Sequence, residues 1–169
     1  VTRANSPISL RPVLPADASR LAALFRASVE TLAEDFYDDD QRAAWAACVD
    51  DQSAFAKRLA TNLSIVALTD GELAGFASLK EARILDMLYV HPDFARRGVG
   101  STLADAIERL GAARGAQSLS VDASDAARKF FEQRGYIPQS RNTVTINGEW
   151  LGNTTMTKAL APPVATGHA

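Results

Sequence analysis

Along this chain the spacing of apolar residues changes several times, and each change marks an element. "ISLRPV", residues 8–13, alternates, which predicts a first strand with Ile8, Leu10 and Val13 turned inward and Pro12 at an edge or strand end. "LPADASRLAALFRASVETLA" shifts to helical spacing. Leu21, Leu24, Phe25, Val29 and Leu32 fall on one stripe, with Asp17 as N-cap or in the first turn. Two shorter helical stretches follow, one carrying Trp45 and the other Phe55 and Leu59, joined by a turn near Asp50. "LSIVALTD", "GELAGFASLK" and "ARILDMLYV" then read as strands. Asp70-Gly71 marks a tight hairpin and the links are short, so three successive antiparallel strands are predicted across residues 63–90. "STLADAIERLGAARG" is helical again, with Leu103, Ala106, Ile107 and Leu110 as its buried stripe. A strand "AQSLSVDAS", a short helix "DAARKFFEQRG" and a hairpin turning at Asn147-Gly148 complete the pattern. The expectation is an α/β (α+β mixed) fold of about seven strands and about four helices.

Composition narrows the setting. The 169 residues fit one domain over residues 1–160, and the Pro-, Ala- and Gly-rich "APPVATGHA", residues 161–169, reads as a flexible tail in which His168 has no role. A net charge of -2 gives no global pull toward nucleic acid or an anionic membrane. One cysteine, Cys48, cannot form an internal disulfide, and no activating group stands near it in sequence. The chain lacks the apolar run of roughly 20 residues that spans a bilayer, and its start lacks a signal-peptide core, so the expected location is cytoplasmic. His91 precedes a proline with no second histidine at ligand spacing, so no metal site is expected.

Two regions carry candidate chemistry. In "EDFYDDDQRAAWA" the aromatics Phe36, Tyr37 and Trp45 lie among carboxylates, a composition suited to a cationic substrate. The alternative is that Phe36 and Trp45 close the core while Asp38 to Asp40 form a solvated helix start. The second region is "ILDMLYVHPDFARRGVGST", in which a strand and turn lead through Arg96, Arg97, Gly98, Val99 and Gly100 into a helix beginning near Ser101 and Thr102. A glycine turn at a helix N-terminus presents free amide protons and lets an anion approach the backbone, and two arginines add charge suited to phosphate. The lysine of a Walker loop is absent, and Leu103 stands where a dinucleotide fingerprint needs its third glycine. A glycine turn that merely packs a helix against a sheet is the alternative.

The phrase "LYVHPDFARRGVGSTL" resembles the acyl-CoA-binding segment of the Gcn5-related N-acetyltransferase superfamily, [Arg/Gln]-x-x-Gly-x-[Gly/Ala] after a strand. Downstream, "VDASDAARKFFEQRGYIP" resembles the family's later motif, an alanine-rich helix ending in an aromatic pair and Gly-[Phe/Tyr]. Together with the early and late segments, the likeness covers roughly residues 8–160 and is similar to a bacterial small-molecule-type branch.

The resemblance implies a central mixed, largely antiparallel sheet with acyl-CoA in the splay between strands four and five. Acetyl-CoA would be the co-substrate, its pyrophosphate at residues 96–102 and its pantetheine along the backbone of Leu88, Tyr89 and Val90. Ser124, Lys129 and Phe131 fall near it; Ser124 can equally cap a helix, and Lys129, like Arg128, can equally face solvent. Two positions depart from the pattern: Ala95 replaces the first Arg/Gln, and Phe131 replaces the tyrosine that protonates the leaving thiolate. Either the thiolate then leaves without that donor, or Tyr89, Tyr37 or water supplies the proton, or activity is weak.

Asp86 is the candidate base or amine ligand, against the alternative of a pairing with Arg83 or another cation, or simple solvent exposure. Glu30, Tyr37, Trp45 and Asp86 form the candidate acceptor site. The implied activity is direct acetyl transfer to a primary amine, of a small molecule or alternatively of a protein or peptide. A CoA-binding sensory module is the non-enzymatic alternative. The late hairpin offers an edge for a homodimer.

Overall fold

Seven strands and five α-helices account for the periodic segments within residues 6–162, which the computed structural model describes. In chain order they are β1 (Ile8–Pro12), α1 (Ala18–Leu32), α2 (Asp39–Ala46), α3 (Gln52–Thr61), β2 (Leu63–Thr69), β3 (Glu72–Lys80) and β4 (Ile84–Val90). There follow α4 (Val99–Ala113), β5 (Ser118–Ser124), α5 (Arg128–Gln133), β6 (Ile137–Ile146) and β7 (Glu149–Ala159). The expected tail lies, beyond Pro162, outside the described residues, and so does His168.

The two short helices predicted either side of Asp50 are α2 and α3, and with α1, α4 and α5 they bring the count to five, one above the approximate total of four. A single 3-10 turn at Ala47–Val49 interrupts them, and the Asp51 carboxylate restarts the helix by accepting the Ala54 N–H at 3.0 Å. Asp38 caps α2 in the same way and Gln41 returns the bond, so the acidic run is a helix start, with Asp39 and Asp40 in the first turn. Asp17 stands at the N-cap position of α1, as the sequence predicts, but its carboxylate caps no amide of that helix. Its buried carboxylate accepts two hydrogen bonds from Arg11, at 2.7 and 3.0 Å, and one from Leu14 N–H at 2.8 Å, which fixes β1 to the start of α1.

The strands form one sheet in the order β1-β2-β3-β4-β5-β7-β6. Every neighbouring pair is antiparallel except β4 and β5. Two apolar layers cover it. On one face α4 and α5 bury Leu103, Ile107 and Phe131 against Leu85, Leu119 and Met156; on the other, α1 and α3 bury Leu21, Phe25 and Phe55 against Val66, Phe76 and Met87. A smaller cluster, Ala33, Tyr37 and Leu151, underlies the C-terminal strands.

Three apolar residues assigned to the core lie outside it. Leu10, on the edge strand, is 39% exposed although its neighbour Ile8 packs on the core. Leu32 ends α1 at 40% exposure. Phe36 is 54% exposed because the turn that closes on the Ala33 carbonyl points Tyr37 inward and Phe36 out.

Two features prepare a site. The first is a bulge in β4. Ser78 stands opposite Met87 and Leu79 opposite Leu85, so Asp86 is an extra, unmatched residue. Leu85 and Met87, which a straight strand would place on one face, therefore pack into opposite apolar layers. The second is an opening of the sheet. β4 and β5 pair only at Ile84 and Ser120, with Ser120 N–H donating to Arg83 O at 3.0 Å. Past that point β4 presents an edge without a strand partner.

Candidate active site

Three cavities meet at the opening between β4 and β5, and Trp45, Tyr89 and Ser124 line all three. The largest, about 210 Å³, is apolar and runs between the end of α1, Leu88 and Val90 of β4, Gly100 of α4 and Phe130. The second, about 120 Å³, is walled by Tyr37 and by Val144, Ile146, Leu151 and Asn153 of the last hairpin. The third, about 90 Å³, occupies the opening itself, between residues 85–89 of β4 and residues 121–124 of β5, with Phe131 behind it.

The glycine segment joins the first cavity. Pro92–Phe94 form a 3-10 turn, and the backbone then enters the left-handed region at Arg96 (φ 61°) and Gly98 (φ 83°) before α4 starts at Val99. Gly98 supplies a conformation that costs a side-chain-bearing residue about 1 kcal/mol or more. The first bond of the helix is Thr102 N–H to Gly98 O at 3.0 Å; the Thr102 hydroxyl donates to the same oxygen at 2.9 Å. No acceptor among the described residues takes the amide protons of residues 96–101.

Arg96 and Arg97 are exposed and make no ion pair among the described residues, although Arg97 sits 5.7 Å from the centre of the Phe94 ring. Gly100 has ordinary φ, and the nearest atoms to a Cβ added there, on the Phe130 ring at 3.6 Å and Val90 at 3.7 Å, would be at ordinary contact distance. Neither backbone nor packing therefore demands glycine at position 100, and what its small size preserves is room in front of the amides. Gly75 is demanded by packing, a need that its neighbours in sequence do not reveal. A Cβ there would lie 2.8 Å from the Tyr89 carbonyl oxygen and 3.0 Å from Val99 and Leu103, so its absence lets α4 sit down on β3 beside the opening.

Asp86 is committed. Its carboxylate accepts from Arg58 Nε at 2.7 Å and from Asn62 Nδ2 at 2.8 Å, both on or just after α3, not from Arg83. Burial alone would raise its pKa, but the hydrogen bond and charge of Arg58, aided by Asn62, outweigh this and hold the carboxyl below its ordinary value. Arg83 instead lies near Glu81, at 3.8 Å. Tyr89 packs its ring 4.3 Å from Phe25 and stacks on Phe76, and burial pushes its phenol up to about 12, so it stays protonated at neutral pH.

The remaining predicted residues divide. Trp45 lines the site, edge-on to Tyr37 and Tyr89. The Tyr37 hydroxyl is spoken for: it donates to Gly152 O at 2.6 Å and accepts from Asp125 N–H at 2.8 Å, which ties the chain after α1 to both the β5–α5 turn and β7. Its ring still borders the second cavity. Glu30 is not part of the site. It is exposed, and Ser28, Val29, Leu32 and Ala33 are the α1-side residues that line the first cavity. Ser124 holds the turn before α5 by accepting from Ala127 N–H at 3.2 Å. Lys129 is exposed, and Phe131 is buried between Phe130 and Tyr136. Asp122, which no sequence motif singles out, borders both the second and third cavities.

Among the described residues no helix is long and apolar enough to cross a membrane, and no group of three or more His, Cys, Asp and Glu side chains could hold a metal ion.

Comparison with known proteins agrees with this geometry. The family described as "Acetyltransferase (GNAT) domain" matches residues 32–160. An Escherichia coli K12 protein described as "Uncharacterized N-acetyltransferase YafP" is 34% identical over 146 residues, 86% of this chain and 92% of its own. A crystal structure from Rhodopseudomonas palustris, described as a "GCN5-Related N-acetyltransferase: Aminotransferase, Class-II", is 55% identical. It superimposes with a TM-score of 0.90 over 92% of this chain and 97% of that one. At 17% identity, the PaiA N-acetyltransferase of Thermoplasma acidophilum, solved in complex with coenzyme A, shares the fold. Its TM-score is 0.74 over 90% of this chain and 99% of that one.

Proposed function

The chain belongs to the GNAT acetyltransferase family and is an acetyl-CoA-dependent enzyme, and we propose that it moves the acetyl group directly onto the primary amine of a small molecule. The observation that carries this reading is continuity. The unpaired edge of β4 leads, through the single turn at Pro92–Phe94, to the unbonded amides of residues 96–101.

An extended pantetheine arm fits along Leu88 to Val90, where backbone groups can replace the missing strand, and the pyrophosphate fits at the start of α4. Arg96 and Arg97 lend charge there in place of a side chain at Ala95. That the Thermoplasma protein of the same fold is a complex with coenzyme A supports a CoA ligand in general. The acetyl group then lies at the junction of the cavities, against the β4 backbone, whose N–H groups suit a tetrahedral oxyanion.

The acceptor arrives as an ammonium and must lose a proton before its lone pair can attack the acetyl carbon. As the N–C bond forms and the C–S bond breaks, nitrogen gives up a second proton and sulfur takes one. The net yield is an amide, a thiol and one proton released. Tyr89, protonated at neutral pH and lining all three cavities, is the proposed donor to sulfur in place of a tyrosine at Phe131. Asp86 enters as the anchor of the β4 bulge. A carboxylate held by Arg58 and Asn62 is a weakened base.

The test is calorimetric titration with acetyl-CoA together with release of free CoA in the presence of amines. Acetyl-CoA should bind, and Gly100→Glu, which fills the space before the amides with a negative side chain, should weaken binding at least about 100-fold, equivalent to about 2.7 kcal/mol. Unchanged binding in that variant, or no binding by the native protein, would sink the reading.

A further inference from the structure

We propose that Asp122 is the carboxylate that seats the acceptor's ammonium, and that the second cavity selects a monoamine with a short apolar body and no carboxylate beside the amine. The proposal rests on the reading above that acetyl-CoA occupies the β4–β5 opening.

Three observations carry it. The first is elimination by chemistry. Only two carboxylates line the three cavities, Asp86 and Asp122. The charge of Asp86 is already paired by the Arg58 guanidinium, which shares Oδ2 with the Asn62 amide. Asp122 receives one hydroxyl bond, from Thr155 Oγ1 to Oδ1 at 2.6 Å, and among the described residues no cation pairs with it. Thr155 in turn accepts from Asn142 Nδ2 at 2.8 Å, so the hydroxyl is oriented toward Asp122 and Oδ2 remains available.

The second is position. β5 alternates, with Leu119, Val121 and Ala123 in the layer under α4 and α5. Asp122 must then face the opposite side, where α1 and α2 leave the mouth of the opening. It borders both the acceptor-side cavity and the opening itself, so an amine held there stands next to the proposed thioester path.

The third is the composition of the cavity facing it. Tyr37, Trp45 and Tyr89 present aromatic surfaces, which attract an ammonium, while Val144, Ile146 and Leu151 offer an apolar wall for the rest of the molecule. A carboxylate on the acceptor would lie against Asp122 with no arginine or lysine among the lining residues to meet it. That combination disfavours free amino acids.

The test compares benzylamine and isoamylamine with phenylalanine and leucine, following CoA release in the wild-type enzyme and in Asp122→Asn. The two simple amines should be preferred at least about tenfold in kcat/KM. Asp122→Asn should raise their KM at least about tenfold while leaving acetyl-CoA affinity and thermal stability unchanged. Asp122→Lys should shift preference toward the carboxylated acceptors. An intact acetyl-CoA titration with no turnover of either amine, a native preference for the amino acids, or an unaltered amine KM in Asp122→Asn would each overturn the assignment. Loss of acetyl-CoA binding by the native enzyme would instead strike the underlying function.

Discussion

The two lips of the β4–β5 opening are built on opposite principles. On β4 the polar residue is paired with a cation: Asp86, the extra residue of a bulge, takes Arg58 and Asn62 on its Oδ2. On β5 the matching polar residue is left almost free: Asp122 is exposed and accepts a single hydroxyl. Behind β4, apolar layers press on both faces of the sheet. Behind β5, the face that carries Asp122 continues into Asn153 and Thr155, both of which accept from Asn142 Nδ2, a half-buried polar surface. The contrast teaches that a carboxylate's role follows from what surrounds it. One lip uses its acid for architecture, which leaves the other for chemistry.

Four substitutions can break or sharpen this contrast. The largest effect is expected behind β4, at Gly75→Ala. A Cβ 2.8 Å from the Tyr89 carbonyl must push α4 or β4 aside, at a cost of about 1–3 kcal/mol in chemical denaturation, with weakened acetyl-CoA binding. Next comes Arg58→Ala, which strands the partly buried Asp86 carboxylate and should cost about 1–3 kcal/mol at pH 7.

The pH dependence of that loss has a definite sign. Because Asp86's folded pKa is depressed, its stabilising contribution is complete above the unfolded value near about pH 4 and disappears as pH falls through the folded value. Wild type and Arg58→Ala should therefore converge in stability in acid. A constant gap down to pH 2 would show that the ion pair is not its origin.

Tyr37→Phe, on the acceptor side, leaves Gly152 O and Asp125 N–H without their partner and should cost about 1–2 kcal/mol in thermal unfolding. The smallest effect belongs to Thr155→Val. It removes the one bond to Asp122 yet should shift stability by less than about 1 kcal/mol, because Asn142 keeps Asn153 as a partner and Asp122 keeps water. If Thr155→Val proved as damaging as Arg58→Ala, the asymmetry between the lips would be lost.

Much of this was legible from the sequence. The strands across residues 63–90, both tight hairpins and the glycine-led helix follow from alternation and turn chemistry, which are local. What escaped is what depends on folding at a distance. "ILDMLYV" reads as a regular strand, and nothing in it says that Asp86 is an extra residue or that its partner Arg58 comes 28 positions earlier. Tyr37 sits in an acidic stretch that suggests ligand binding, yet its hydroxyl is claimed by groups 88 and 115 positions away. Glu30 is acidic and near the aromatics in sequence, but helical phase turns it to solvent. Asp122 went unassigned because a carboxylate on an alternating strand looks like any solvated residue until the strand beside it is seen to leave.

That departure of β4 from β5 would give an acetyl donor bound there a second office, as mortar. With the two half-sheets joined by one residue pair, a bound pantetheine would span them, and the cohesion of the whole fold would become a function of cofactor supply. At a concentration one hundred times its dissociation constant, such a ligand adds about 2.7 kcal/mol to the folded state. Backbone amides along Leu88 to Val90 should then exchange with deuterium quickly in the empty enzyme and slowly in the charged one, so that the protein is sturdiest when it is ready to react.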